Sequence, residues 1–408
     1  MILSVLIWIL LALAALLAIP ITVFWLECVA AFFPTHTVTK SAYSSPIKTA
    51  ILIPAHNEAS GIQRVLEDLA PQLSDCHQLV VIADNCTDET ANMARSLGVT
   101  VIERQDATRR GKGYALDFGV RFLANQPNGE VPEVVVVVDA DCILQPGTLP
   151  RIVEQAAKTG RPVQAIYLME QPIQPKPRDA VSALAFLVKN WVRPRGLARL
   201  QIPCSLTGTG MAFPWTVIQS AKLASGNIVE DMQLGVDLAI AGYPPMFCDH
   251  TRVTGLLPQQ DQAAKKQRTR WEHGHLQTIL TQVPKLLQAA LSQRRFDLFA
   301  IAFDLSIPPL SLLVLLWMVM TGLSLLIGLV GLSWLPGLLM AIEGGLIITA
   351  ILMAWLGFGR TELPAQALLA APLYLLWKIP LYFAFLVRPQ TEWIRTARDP
   401  VKSSSSQN

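Results

Sequence analysis

Charge is what this chain of 408 residues has least of: 15% of it is Asp, Glu, Lys or Arg, while 52% is hydrophobic. Soluble domains carry about 25% charged residues, so one soluble domain plus a membrane part fits better than two soluble domains. The deficit is also uneven. Residues 1 to 26 hold no charged side chain, and from 298 to 387 the only ionisable ones besides tyrosine are Asp304, Glu343, Arg360, Glu362 and Lys378. Other absences exclude whole classes. The six cysteines, at 28, 76, 86, 142, 204 and 248, make no C-x-x-C pair and no zinc spacing, which fits reduced thiols in a cytosolic domain. A net charge of +3 gives no footing for a nucleic-acid partner. There is no G-x-x-x-x-G-K-[ST] loop, and "PAHNEASG" after the first apolar run is not the G-x-G-x-x-G of a dinucleotide-binding dehydrogenase. No repeat recurs at a fixed period, and the one low-complexity run, "SSSSQN", is expected to be disordered.

What is present at the two ends is apolar length. "MILSVLIWILLALAALLAIPITVFW" supplies the ~20 residues that cross a hydrocarbon core. It lacks the basic start and the short apolar run of a cleaved signal, so residues 1–33 read as an uncleaved anchor. Three further spans are expected near 306–330, 335–357 and 364–387, bounded or kinked by Pro308, Pro309, Pro336 and Pro380. One span before the globular part and three after it put the tail "RPQTEWIRTARDPVK" on the opposite side. Its basic residues, like "KKQRTR" and "QRR", ask for the cytoplasm. Either a fourth crossing lies within 297–333 or the charge rule misleads here. The expected plan is therefore an anchor at 1–33, a catalytic domain at 48–272, an amphipathic interfacial segment at 273–297, three or four helices at 298–388 and a basic, then disordered, tail at 389–408.

Between the ends the pattern changes. "TAILIPAHNEASGI", "HQLVVIADNCTDETANMARSLG" and "EVVVVVDADCILQPGTLPRIVEQA" each read as an apolar run followed by a polar turn and a helical pattern. Runs without alternation predict parallel strands buried on both faces of an α/β sheet. Ligands of such sheets bind beyond the carboxyl ends of the strands. Those ends carry Asn57 and Glu58, then Asp84 and Asn85, then Asp139 and Asp141.

Each group has a bland reading beside a chemical one. Asp139 and Asp141 are either a solvated turn or oxygen ligands for a divalent cation that itself holds a diphosphate. Asp84 suits a base or ribose, with helix capping as the alternative, though Asp88 and Thr87 already serve that end. Arg109, Arg110 and Lys112 among glycines in "RRGKGYAL" suit an approaching phosphate or a solvated loop. Glu230 and Asp231 precede a helical pattern, where they cap it or serve as a general base. In "SLTGTGMAF", Gly208 and Gly210 bracket Thr209 and permit close backbone approach, or make a plain turn. His273 and His275 lack a third metal ligand nearby.

In this order "ILIPAHNEA", "ADNCTDET", "RGKGYAL", "VVVVVDADC", "TGTGMAF", "VEDMQLGVDLAIAGY" and "QRTRW" resemble the membrane-bound family 2 glycosyltransferases. That group includes cellulose synthase, hyaluronan synthase, poly-N-acetylglucosamine synthase and ceramide glucosyltransferase. The resemblance covers roughly residues 48 to 300, and seven motifs in order are specific where any one is weak. It implies a GT-A fold with a mostly parallel sheet, and inverting transfer of a hexosyl or N-acetylhexosaminyl unit from a nucleotide diphosphate sugar, usually a UDP-sugar.

By the same resemblance Pro54, Asn57, Glu58 and Asp84 bind substrate, with Asp84 on the nucleotide base. Lys112, Gly208 and Thr209 contribute to substrate binding. Asp139 and Asp141 match the D-x-D pair, Asp141 as the direct ligand of Mg²⁺ or Mn²⁺. Glu230 and Asp231 match the last two positions of T-E-D, with Asp231 as base; Val229 replaces the threonine, which loses a hydroxyl and keeps both acids. Gln267, Arg270 and Trp271 match Q-x-x-R-W. There Arg270 neutralises the leaving diphosphate, and Trp271 offers an apolar face to the acceptor.

The implied partners are a nucleotide sugar, a lipid or growing glycan as acceptor, the bilayer of the cell membrane and, for polymer synthesis, room for a partner subunit. The reading favours polysaccharide synthesis with the catalytic domain cytoplasmic. Glycolipid synthesis is the alternative, and a non-catalytic nucleotide-sugar scaffold the outsider, because both acidic motifs are intact.

Overall fold

The computed structural model describes residues 2–34, 46–127, 129–171, 176–226, 229–256, 261–360 and 363–387. Contacts within the chain divide it into two units. The helical unit is Met1–Thr37, Gln174–Pro203 and His275–Pro389, and the sheet unit is Val38–Ile173, Cys204–Gly274 and Gln390–Asn408.

The chain opens with α1 (Ile2–Ala30), apolar on every side and so unsuited to water. The sheet unit then builds β1 (Thr49–Ala55), α2 (Ile62–Leu69), β2 (His77–Asp84), α3 (Thr90–Ser96), β3 (Thr100–Arg104), α4 (Lys112–Ala124), β4 (Val134–Val137), β5 (Cys142–Leu144), α5 (Thr148–Thr159) and β6 (Val163–Glu170). Next come α6 (Pro177–Leu187), a π-helical turn at Val188–Val192 and α7 (Arg193–Arg199), all in the helical unit. The sheet resumes with β7 (Met211–Pro214), α8 (Trp215–Ser220), α9 (Glu230–Ile240) and β8 (Met246–Leu256). Helix α10 (Asp261–Gln293) starts in the sheet unit and ends in the helical one. Then follow α11 (Phe296–Ser306), α12 (Leu310–Leu329), α13 (Leu335–Ala354) with a π turn to Gly359, α14 (Ala365–Leu368) and α15 (Ala371–Val387).

The eight strands form one sheet in the order β3-β2-β1-β4-β7-β6-β8-β5. Strands β3, β2, β1 and β4 are mutually parallel, as is the β6–β8 pair; β7 runs antiparallel to β4 and β6, and β5 antiparallel to β8. The unalternating runs are buried along their length, Val134 to Val137 among them. On one face α4 and α9 supply Leu116, Leu123, Leu234 and Leu238 to a core with Leu52, Ile82, Val135 and Phe213. Each such side chain contributes about 1.5–3 kcal/mol of burial. Pairing of β1 with β4 stops at Leu52, so Pro54 falls past it, where a strand tolerates a residue without N–H. No disulfide joins the six cysteines.

Among the described residues of the helical unit three helices are long and apolar enough to cross a membrane: Ser4–Ala30, Leu310–Leu329 and Leu335–Gly359. The stretch expected at 364–387 is instead broken into α14 and the 17-residue α15. At 1.5 Å per residue α15 spans about 26 Å, short of the ~30 Å core. The interval 297–333 holds one helix of spanning length, because Pro308 and Pro309 end α11 after 11 residues and it has only about 16 Å of rise. The tail at 388–408, on which the topology argument turned, lies outside the described residues.

A buried ion triad ties α1, α7 and α11 together. Arg193 donates through Nε to Glu27 Oε2 at 2.6 Å, and through Nη2 to Asp304 Oδ1 at 2.6 Å and to the Asp304 carbonyl at 2.9 Å. One turn further on, Arg195 and Arg199 donate to the carbonyls of Ala31 and Phe33, which supplies cations to the C-terminal end of α1. Gly196 lies against the Glu27 carbonyl so closely that any side chain there would collide with it. The segment 174–203 therefore groups with the apolar helices, whereas the sequence reading had carried the catalytic domain through it.

Candidate active site

All the site residues named from the sequence lie in the sheet unit. After β4 the chain turns at Asp139, whose carbonyl accepts the Cys142 N–H at 3.1 Å, and re-enters the sheet as β5. This turn brings the carboxylates of Asp139 and Asp141 and the thiol of Cys142 within 4.8 Å of one another. Two hard oxygen donors at a strand end suit Mg²⁺ or Mn²⁺.

Lys112, the first residue of α4, forms an ion pair with Asp139 and donates at 2.6 Å to the carbonyl of Gly208. The loop 207–210 holds Gly208 at φ +98° and Gly210 at φ +64°, a conformation natural to glycine. A side chain at Gly208 would place its Cβ 3.2 Å from Asp231 Oδ2 and 3.6 Å from Lys112 Nζ. Lys112, Asp139, Gly208 and Asp231 thus meet at one point. Thr209 Oγ1 accepts the Asp139 N–H at 3.1 Å, which ties the same loop to the D-x-D turn.

Glu230 and Asp231 form the first turn of α9, where the helix dipole favours negative charge. Burial, and then Asp231 beside it, push the Glu230 carboxyl up to about 7 against the opposing pull of Lys112. Burial by itself would lower the Lys112 ammonium. Asp139, Glu230 and Asp231 outweigh it and hold Lys112 above its ordinary value, so this lysine stays charged. The cluster sets four carboxylates against one ammonium, an excess that a divalent cation would offset. Gly113 packs its backbone against Leu223 and Ser225, which fixes the start of α4.

Asp84 stands in a second network. Its Oδ1 accepts from Arg104 at 2.6 Å and from Asn85 at 3.1 Å, and Arg104 continues to Asp106 at 3.1 Å and over the ring of Tyr114. Arg104, at the end of β3, was not singled out by sequence; its half-exposed strand gives no local sign that the arginine turns inward. Asn57 and Asn85 both adopt positive φ, near +54° and +53°, and each closes a loop: Asn57 Oδ1 accepts the Thr87 N–H at 2.7 Å, and Asn85 Oδ1 the Asp106 N–H at 2.8 Å. Glu58 donates its backbone N–H to the Thr90 hydroxyl oxygen, and Asp88 accepts the Thr90 N–H at the start of α3. Arg109 and Arg110 are exposed.

Gln267, Arg270 and Trp271 lie on the first half of α10. Gln267 is 5% exposed, and its Oε1 and the Nε of Arg270 are buried atoms without a hydrogen-bond partner among the described residues. Such groups are costly unless a ligand satisfies them. His275 is held otherwise. It has a backbone hydrogen bond to Leu305, while burial, followed by Lys189 and Arg193, keeps it well below the usual histidine range.

A family model described as "Glycosyltransferase like family 2" matches residues 46–274. The chain is similar to the probable glycosyltransferase YdaM of Bacillus subtilis (strain 168), with 23% identity over 271 residues, 63% of this chain and 62% of that protein. It thus spans less than two thirds of that relative's length. It is also similar to the solved mannosyltransferase PcManGT from Pyrobaculum calidifontis, whose structure contains GDP-Man and Mn²⁺. The TM-score is 0.55 at 18% identity, over 90% of this chain and 99% of that one. At that identity the likeness speaks for the fold, which is GT-A-like with a mostly parallel sheet.

Proposed function

This chain belongs to the glycosyltransferase-like family 2, and from that membership we propose that it moves a sugar, with inversion, from a nucleotide diphosphate sugar to a membrane-associated acceptor. The observation that carries the reading is the meeting of Lys112, Asp139, Gly208 and Asp231 beside the D-x-D turn. A divalent cation on Asp139 and Asp141 would supply Lewis-acid charge to the departing diphosphate. Asp231 accepts the proton of the acceptor hydroxyl as its oxygen bonds to the anomeric carbon and the bond from that carbon to the diphosphate breaks. Lys112 and Arg270 offset the charge released on the leaving group. Glu230, raised by burial, shares the first turn with Asp231 and keeps the pair from both being fully ionised near neutrality. Asp84 takes the base, with Pro54, Asn57 and Glu58 around it, and Gln267, Thr209 and Trp271 line the approach of donor and acceptor.

Apart from residues 174–203, which join the helical unit, and the broken stretch at 364–387, the domain plan is kept, with the sheet unit cytoplasmic and α1, α12 and α13 in the bilayer. We read the product as a polysaccharide. The alternative is single transfer to a lipid headgroup, which asks for fewer spanning helices than a channel; among the described residues three are of spanning length. Nucleotide release by the detergent-purified full chain decides the reading, using UDP- and GDP-sugars with Mn²⁺ or Mg²⁺, lipid extract and oligosaccharides, beside Asp231→Asn. Metal-dependent release of one nucleotide, lost in the variant, is expected. An Asp231→Asn protein with full turnover would remove the base from the mechanism, and silence across the panel would favour the scaffold.

A further inference from the structure

Strand β6 reads "VQAIYLME", and its second residue is out of character. Gln164 is 1% exposed at a central strand position, where its backbone pairs with Met211 on one side and Phe247 on the other. A leucine would fill this place without needing partners, whereas a buried amide is costly unless it is hydrogen-bonded. Here both amide hydrogens and the oxygen are used. Nε2 donates to the Thr209 carbonyl at 2.9 Å and to the Ala165 carbonyl at 2.8 Å, and Oε1 accepts the Thr207 N–H at 2.8 Å.

Two of those three bonds go to the loop that carries the site. The same loop offers the Gly208 carbonyl to Lys112 and the Thr209 hydroxyl to the Asp139 N–H, and presses Gly208 against Asp231. Beyond Gly210, ordinary strand bonds take over: Ala165 N–H to the Gly210 carbonyl, and Gly210 N–H to the Val137 carbonyl, both at 2.9 Å. Residues 207–209 lie before those strand bonds, and Gly208 gives them backbone freedom that the bonds do not restrain. We propose that Gln164 is a positioning residue, whose side-chain amide clamps 207–209 so that the loop holds Lys112 and Asp139 at a fixed distance from Asp231. The proposal rests on the transferase reading for its catalytic consequence, but not for the clamp itself.

The test uses the full chain in detergent, with Gln164→Leu, which removes every bond, and Gln164→Asn, which keeps the amide's donors and acceptor on a shorter reach. Hydrogen exchange of the peptide spanning 205–211 reads the clamp without any assay of activity. In Gln164→Leu it should quicken by about tenfold or more while the β1 and β2 amides stay unchanged. Turnover should fall by about 100-fold, the cost of misplacing groups by about 1 Å, with KM for the donor within about threefold. Gln164→Asn should recover part of both effects, and it carries the test if the leucine variant does not fold. Unchanged loop exchange overturns the proposal. So does faster exchange with turnover intact, or equal loss of turnover and of exchange protection across the whole sheet, which would mark a merely structural glutamine. If the wild type releases no nucleotide, the transferase reading fails on its own, and loop exchange alone then upholds or overturns the clamp.

Discussion

Replacing Arg193 by leucine is expected to be among the most destabilising single changes in the helical unit. The guanidinium is 9% exposed and sits between Glu27, 2% exposed, and Asp304, 9% exposed, with three bonds of 2.6 to 2.9 Å. Leucine refills most of the volume but leaves two buried carboxylates facing each other. Breaking a buried pair in this way costs about 3–5 kcal/mol. For a unit of this size each kcal/mol lowers the melting temperature by about 2–4 °C, so a drop of about 6–20 °C follows. Thermal unfolding of the full chain in one detergent, at one scan rate, measures it. The control is the triple replacement of Glu27, Arg193 and Asp304 by leucine, which removes the charges together and should be neutral or more stable than the wild type. A single variant within about 1 kcal/mol of wild type would refute the reasoning, since surface changes do as much. A triple variant as weak as the single one would refute it too, by showing that shape and not charge sets the loss.

His275 gives a pH dependence. Its folded value lies well below the ordinary one because of burial and then Lys189 and Arg193. The unfolded chain therefore binds a proton, below about pH 6.5, that the folded chain refuses. The His275 contribution to stability should be constant above that pH and fall on acidification by up to about 1.4 kcal/mol per unit, so the difference between wild type and His275→Gln in unfolding curves between pH 7.5 and 5.5 should have about that slope. Gly208→Ala forces a side chain at φ +98° to within 3.2 Å of Asp231 Oδ2. It should cost about 1–3 kcal/mol of stability and reduce turnover more than donor binding, which a nucleotide titration beside the kinetics separates.

Three of the parallel strands, β1, β2 and β4, were legible because they are apolar without alternation and each runs into a polar turn. Those turns put Asp84, Asp139 and Asp141 at strand ends, and the acids of α9 were legible as a helix start. The antiparallel half was not. Strands β5 and β7 have three and four residues, and their partners are set by contacts far along the chain, which leave no local period. Residues 177–199 fell within the expected catalytic domain; the bonds of Arg193 to Glu27 and Asp304, with those of Arg195 and Arg199 to the end of α1, show that they belong with the apolar helices. Gln164 and Arg104 were invisible for a related reason: a polar residue in a strand says nothing of which loop or carboxylate it will meet.

The triad also sets a clock on synthesis. Glu27 and Arg193 are 166 residues apart, so at the ribosome's pace of about 5–20 residues per second the anchor's glutamate waits about 8–33 seconds for its counter-charge. In that interval the strands from β1 to β6 emerge, while Asp304 comes a further 111 residues later. The first helix to be made is thus among the last to be finished, and the sheet unit has time to assemble its parallel half before the helices can close around Arg193.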